Sequence, residues 1–334
     1  EQILPSDNFP RFSDSWVTGL ASARNDSHAG SEWMFASGVG PANALISMPI
    51  DGQEGIPHPT GARLIGATFS VYVIANNTTD PRVSVHEILQ DWNESATGVT
   101  YDGTNNWSSP GGAGAADRSG LIDVSSDTDA GVWLDLDITE IVQGAIARGE
   151  HDVSLMLSVD PSSSQSIIFA SSDYPWQNSH PHMTMRWRNG SGSAVTTAAS
   201  LVSPADGELI WDTSQPPALL SSQMPTLNWT HSTSSSITDW RLFFYNDTND
   251  ERDGFTIHDS RVDQGFDVAN MEWTPTSDME IDEVHRWFVQ PISDDMLGAR
   301  SSTRTFVIPN EISGTINSTH AWINLKQGSA SSTT

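Results

Sequence analysis

Cysteine is absent from all 334 residues, which excludes disulfide staples, thiolate metal sites and cysteine nucleophiles together. Lysine occurs once, at Lys326, so no lysine–asparagine isopeptide bond can cross-link the body of the chain. Basic side chains of any kind are scarce: 15 Lys and Arg face 42 Asp and Glu, a formal charge of −27. That charge is spread evenly, net −15 over residues 1–199 and −12 over residues 200–334. Such a surface has no counterions to release from a phosphate backbone, so nucleic acid is excluded as a partner, and so is docking on anionic lipid. No run of about 18 apolar residues exists, and membrane insertion by a helix is excluded with it. There is no glycine-rich phosphate loop, no HExxH and no Gly-x-Ser-x-Gly elbow, and nothing points to an enzyme. The chain starts at Glu1 without a basic, apolar leader and reads as a mature or excerpted segment.

What is present is large and apolar. Hydrophobic residues make up 37% of the chain, with 13 Trp and 11 Phe, enough for packed cores rather than disorder. The length suits two domains. Alternation of period two recurs in short runs such as Ala67–Ala75, Arg82–Leu89, Gly131–Ile138, Val153–Val159 and His182–Arg188, separated by Gly, Pro, Asn, Asp and Ser. One helix is expected at about Thr139–Arg148. Asp137 or Thr139 would cap it, Ile141, Val142, Ala145 and Ile146 form one face, and Gly149 would end it.

Residues 191–200 are small and polar and read as a flexible linker between a domain at 1–190 and another at 201–310. Seven short strands are predicted in the second: Glu208–Trp211, Thr226–His231, Asp239–Asn246, Phe255–Val262, Met271–Thr276, Val284–Ser293 and Ser302–Pro309. With no helix among them they imply a β-sandwich. Residues 311–334 are left as a C-terminal strand segment. Its His320–Gln327 echoes Asp14–Ala21, so it would open a further repeat or add a strand to a neighbouring subunit.

Several segments, in order, carry a family resemblance. They are Ser15-Trp16-Val17, Ala42–Pro49, Ala67–Ala75, the stretch from Val83 to Asp102 containing Asp91-Trp92-Asn93-Glu94, Trp107 with Pro110-Gly111-Gly112, Val132–Thr139, Phe169–Asp173 and a final strand entered through His180-Pro181. Residues 14–188 thereby resemble the DNRLRE domain family, jelly-roll modules akin to alginate-binding carbohydrate modules. The final strand of that family often enters through Arg-Pro, where this chain has His-Pro. The resemblance implies a jelly-roll sandwich, and sugar binding as one of its uses. Residues 201–309, through Val202–Gly207, Pro225–Trp229, Trp240–Asn246 and Val284–Ser293, resemble a fibronectin type III or immunoglobulin-like sandwich, an architecture that serves many functions. The fold class expected is therefore all-β: a jelly roll followed by a seven-stranded sandwich.

Four sets of residues are candidates for function. Asn-x-Ser/Thr sequons occur at Asn25, Asn76, Asn77, Asn93, Asn106, Asn189, Asn228, Asn246 and Asn317, nine where composition predicts roughly four, which points to an extracellular glycoprotein. Trp107, Tyr174 and Trp176 lie in polar loops where their rings could stack on a sugar; the competing arrangement folds them back over the core edge. Asp123, Asp127 and Asp129 place carboxylates in one loop, and calcium is the only cofactor these loops suggest. Finally, Phe243, Tyr245 and Phe288 alternate with core-facing residues and would form an exposed aromatic patch. With Trp322 in the tail they are the expected interface to copies of the chain or adjacent repeats. The function expected is a structural or adhesive surface glycoprotein, a unit of a cell-surface stalk or filament. The alternative is a carbohydrate-binding module with a spacer domain, its partner an extracellular polysaccharide.

Overall fold

The computed structural model describes residues 13–50, 61–77, 82–125, 129–160, 164–190, 192, 194–210, 224–233, 236–246, 255–281 and 283–309, and the backbone pairing of Gln2–Ile3, Glu311–Ile312 and Leu325–Lys326. The chain divides into two compact units, Glu1–Gly192 and Ser193–Thr334. Both are antiparallel β-sandwiches, as the alternation predicts.

In the first unit, the 15-residue strand Ala62–Asn76 belongs to both sheets. Along most of its length it pairs with His182–Asn189 and Trp133–Asp137. Its last residues pair with Ser166–Ala170, where the register shifts at a bulge between Ile168 and Phe169. From there the second sheet continues through Trp33–Ser37, Ala42–Pro49, Asp152–Ser158, Val83–Glu87 and Asp123–Ser125, with Ser13–Thr18 also paired to Ala42–Pro49. The core takes every second residue of these strands: Ala44, Ile46 and Met48, Leu155 and Leu157, Phe69, Val71 and Val73 are all fully buried. Each of these apart from Ala44 contributes about 1.5–3 kcal/mol of burial. The helix Thr139–Arg148 closes the core with Ile141, Val142 and Ala145. Asp137 accepts from the Thr139 N–H (2.8 Å), and Gly149 ends the helix at φ 75°.

The residues between those core positions, Leu45 and Met156, point to the opposite face of the sheet. There they meet Val17, Ile88, Trp92, Ala96 and Trp107 in a second apolar cluster, roofed by the loop that follows Glu87. The roof is pressed close: a Cβ on Gly98 would lie 1.7 Å from the Thr18 carbonyl oxygen. It is tied down by Asp117, a fully buried carboxylate that accepts from the N–H groups of Ser108, Ser109 and Gly114 and from the Ser108 hydroxyl.

The second unit has one sheet of Ser200–Ser203, Leu227–Thr230, Glu272–Trp273 and Phe266–Asp267. The facing sheet holds Glu208–Leu209, Arg304–Val307, Val284–Ser293, Asp239–Asn246 and Thr256–Asp259, with Met296–Leu297 folded back on Val284–Ser293. Trp229, Trp240 and Trp287 fill the space between them, Trp229 lying 5.4 Å and 6.4 Å from the other two rings. The two sheets hold ten described strands against the seven predicted, the additions being Ser200–Ser203, Phe266–Asp267 and Met296–Leu297, and two local features stand out. Pro204 has no N–H to give a ladder, and at the cis Ser203–Pro204 bond the chain leaves one sheet to pair in parallel with Arg304–Val307. Asp294 and Asp295 both take positive φ, making the two-residue hairpin turn into Met296–Leu297.

Two expectations are corrected here. The stretch 191–200 is not a free linker over its whole length: Val195 and Ala199 are buried, and Val195 accepts a hydrogen bond from Ala299 N–H. Val195 and Ala199 pack on the second sandwich, which composition alone cannot distinguish from a flexible tether. Likewise, Phe243, Tyr245 and Phe288 do face away from the tryptophan core but are not exposed, at 1%, 7% and 7% of their surface. Phe243 and Phe288 stack on each other (4.5 Å), Phe255 leans on Phe243 and Tyr245, and the Arg300 guanidinium lies over both stacked rings. The face is a small core of its own, so these three side chains offer no interface. Trp322 lies outside the described residues. Beyond the second sandwich, Leu325–Lys326 pairs with Glu311–Ile312 of its own chain.

Candidate functional site

The two exposed indoles of the first sandwich, Trp33 and Trp176, are carried by segments that meet at one junction. Trp33 opens the strand Trp33–Ser37 and pairs with Ala170, so the chain leaving Ser166–Ala170 runs out beside it as the loop 171–181. That loop is stitched to its neighbours. The Ser171 hydroxyl donates to the Ser31 carbonyl (2.6 Å), and the Ser172 N–H donates to Asp14 Oδ2 (2.7 Å) on the strand Ser13–Thr18. Inside the loop, His180 Nε2 donates to the Tyr174 carbonyl (2.6 Å), and Ser179 N–H donates to that of Trp176. These bonds hold the tip outward: Trp176 is 67% exposed, with Tyr174 set perpendicular to it at 5.4 Å.

On the other side of the junction Trp33 is 40% exposed and backed by a stack. Trp16 lies 5.6 Å behind it, nearly parallel, and His28 lies on Trp16 at 3.5 Å and 9°. Phe35 touches both indoles edge-on. Burial pushes the His28 imidazole below its ordinary value, against the pull of Asp26, so the ring is neutral at pH 7. Asp14, two residues before Trp16, is 3% exposed. Burial raises its carboxyl to about 6; the Ser172 hydrogen bonds oppose the rise, and Asp173 and Glu94 add to it. Flat apolar rings beside carboxylates and backbone amides suit a ligand with C–H faces and hydroxyls.

Of the residues singled out from sequence, Tyr174 and Trp176 belong to this surface. Trp107 does not. It is 5% exposed, packs edge-on against Tyr101 and gives its indole N–H to the Thr97 carbonyl (2.8 Å), so it is a roof beam of the second apolar cluster. Trp33, with Trp16 and His28 stacked behind it, was not singled out from the sequence, because an indole in a strand reads as core. The signal was that Trp33 follows Ser31-Glu32, polar on the side the strand enters from.

Asp123 spends its carboxylate on backbone, accepting from Val124 N–H and Asp137 N–H (2.7 Å). Asp129 is exposed, and Asp127 lies outside the described residues. Among the described residues no three Asp, Glu or His side chains gather as metal ligands. His180 is engaged by the Tyr174 carbonyl, and His182 meets Trp133 edge-on at 4.7 Å. Of the sequons, Asn25, Asn93, Asn106 and Asn189 are exposed, and Asn76 and Asn228 are half-buried. Asn77 is held by Ser164 and Ser166, and Asn246 by Glu280 and His285; Asn317 lies outside the described residues.

A groove of about 880 Å³ lies elsewhere on the same sandwich. Arg148 lines it, paired with Glu87 and with both oxygens of Glu150, together with the exposed His151 and the buried Trp92. Burial raises Glu87 despite the arginine.

No protein-family model matches the chain, so none confirms the DNRLRE resemblance, and no curated protein matches it either. Solved structures that resemble it include the chicken CNTN1 FN1-FN3 domains, at 11% identity and a TM-score of 0.24, covering 80% of this chain and 62% of that one. Others are a β-1,2-glucanase from Parabacteroides distasonis, at 9% identity and 0.25, covering 92% of this chain and 38% of that one, and a β-glucuronidase from Parabacteroides merdae, at 8% and 0.24, covering 93% and 37%. The chain thus spans less than two thirds of each of these proteins. At those TM-scores the likenesses carry nothing about activity or ligand.

Proposed function

We propose that the chain is a non-catalytic segment of an extracellular, cell-surface glycoprotein, structural and adhesive in role, whose first sandwich holds polysaccharide. The observation that carries this reading is the outward-pinned Trp176, exposed over two thirds of its surface beside Tyr174. A loop braced by several hydrogen bonds while its indole stays in water is poorly explained by stability alone, since burying that ring would be worth several kcal/mol. Exposed sequons at Asn25, Asn93, Asn106 and Asn189 support the extracellular part. The second sandwich serves as a spacer domain. Screening the whole chain and Trp176→Ala on a glycan array tests the reading. The native chain should retain a polysaccharide class that the variant loses at least tenfold. A native chain that retains none removes the adhesive role.

A further inference from the structure

We propose that the ligand is an uncharged polysaccharide, lying on a ledge that runs from Trp176 to Trp33, and that acidic glycans are refused there. This rests on the saccharide-binding reading and adds a second platform and a ligand class to it.

The ledge follows from the stitching. Trp33 is the ladder partner of Ala170, and the next residue, Ser171, is bonded to Ser31, so both exposed indoles flank one junction of the chain. Trp33 is a firm platform. Trp16 and His28 are stacked behind it and Phe35 braces both indoles, so the ring has little rotamer freedom left to lose on binding. Stacking on such a ring recognises the C–H face of a pyranose without regard to charge.

Charge then selects among saccharides. Glu32 and Asp173 are exposed on either side of the junction, Asp173 and Glu94 stand close enough to act on the buried Asp14, and Asp26 close enough to act on His28. Arg24 lies in the exposed turn before Asn25, and burial holds His28 below its ordinary value, which disfavours its charged form. A uronate or sulfate on the ledge would face several carboxylates within a Debye length, about 8–10 Å at physiological salt. A neutral hydroxyl finds in the same carboxylates its hydrogen-bond acceptors. Specificity here comes from the repulsive element as much as from the attractive one.

The test uses the whole chain and pairs of probes that differ only at C6: neutral gluco-, manno- and galacto-oligosaccharides, each beside its C6-oxidised uronate. Affinities are measured at low and at high salt for the native chain, for Trp33→Ala, and for Glu32→Gln with Asp173→Asn. These last two positions are exposed and leave the fold untouched, and circular dichroism checks Trp33→Ala. The proposal expects one neutral series to bind, its uronate to bind at least tenfold more weakly, and salt or the double variant to narrow the gap. It expects Trp33→Ala to weaken the neutral ligand at least tenfold. A uronate that binds as well as its neutral partner overturns the ligand class and leaves saccharide binding standing. Neutral binding unchanged in a folded Trp33→Ala overturns the ledge. If no probe of either kind binds, the saccharide reading itself falls.

Discussion

Asp14 is a carboxyl buried to 3% exposure, with a folded-state value near 6 against an ordinary 3.8. Between those values the folded chain holds a proton that the unfolded chain has released. Stability therefore falls as pH rises from about 4 to about 6, and above 6 the whole cost of about 3 kcal/mol is present. Asp14→Asn removes the charge and keeps an oxygen to accept the Ser172 N–H. The exchange loses about 1 kcal/mol of charge-assisted bonding, so the variant should be more stable than the native chain by about 1–2 kcal/mol at pH 7.5. At pH 5, well above the pI of about 4.3 and so still soluble, that advantage should shrink by about 1 kcal/mol. Urea unfolding of both chains at both pH values gives the difference. Hydrogen exchange in peptides spanning Ser13–Thr18 and Ala42–Pro49 assigns it to the first sandwich. A stability difference that is the same at pH 5 and pH 7.5 would refute the reasoning, because a shifted proton equilibrium has no other signature.

Other perturbations follow from the same geometry. Asp117→Ala leaves three backbone N–H groups without their acceptor and should cost about 3–5 kcal/mol, seen as a lower melting temperature for the first sandwich with the second unmoved. Trp287→Ala opens a cavity beneath Trp229 in the second core and should cost about 3–5 kcal/mol by urea unfolding, leaving retention of saccharide by the first sandwich intact. A chelator should leave the melting temperature unchanged, since Asp123 already binds two backbone N–H groups; a fall of several degrees would restore calcium to the Asp123–Asp129 loop.

What could be read from the sequence was whatever obeys a period. Strands such as Ala67–Ala75 give every second residue to the core, and the helix Thr139–Arg148 spans the expected residues and ends at Gly149, although its N-cap position is Ile138 rather than Asp137 or Thr139. What period cannot report is whether the other face of a sheet is covered. Phe243 and Phe288 alternate correctly with the core, yet Phe255 and Arg300, distant in sequence, close over them. The same blindness applied to loops. Trp107 and Trp176 sit in equally polar surroundings, but Gly98 and Asp117 let one loop fold flat onto Leu45 and Met156, while Ser171, Ser172 and His180 brace the other outward. Trp33 escaped notice for the opposite reason, as a strand tryptophan that the fold leaves at its rim.

The most direct measurement of the central claim is calorimetric titration of the whole chain with the neutral oligosaccharide that the array selects, beside the double variant Trp33→Ala, Trp176→Ala. Saturable heat at one site per native chain, absent from a variant that still melts cooperatively at a similar temperature, is the predicted result. Equal heat and affinity in the variant would place the binding surface elsewhere and contradict the account.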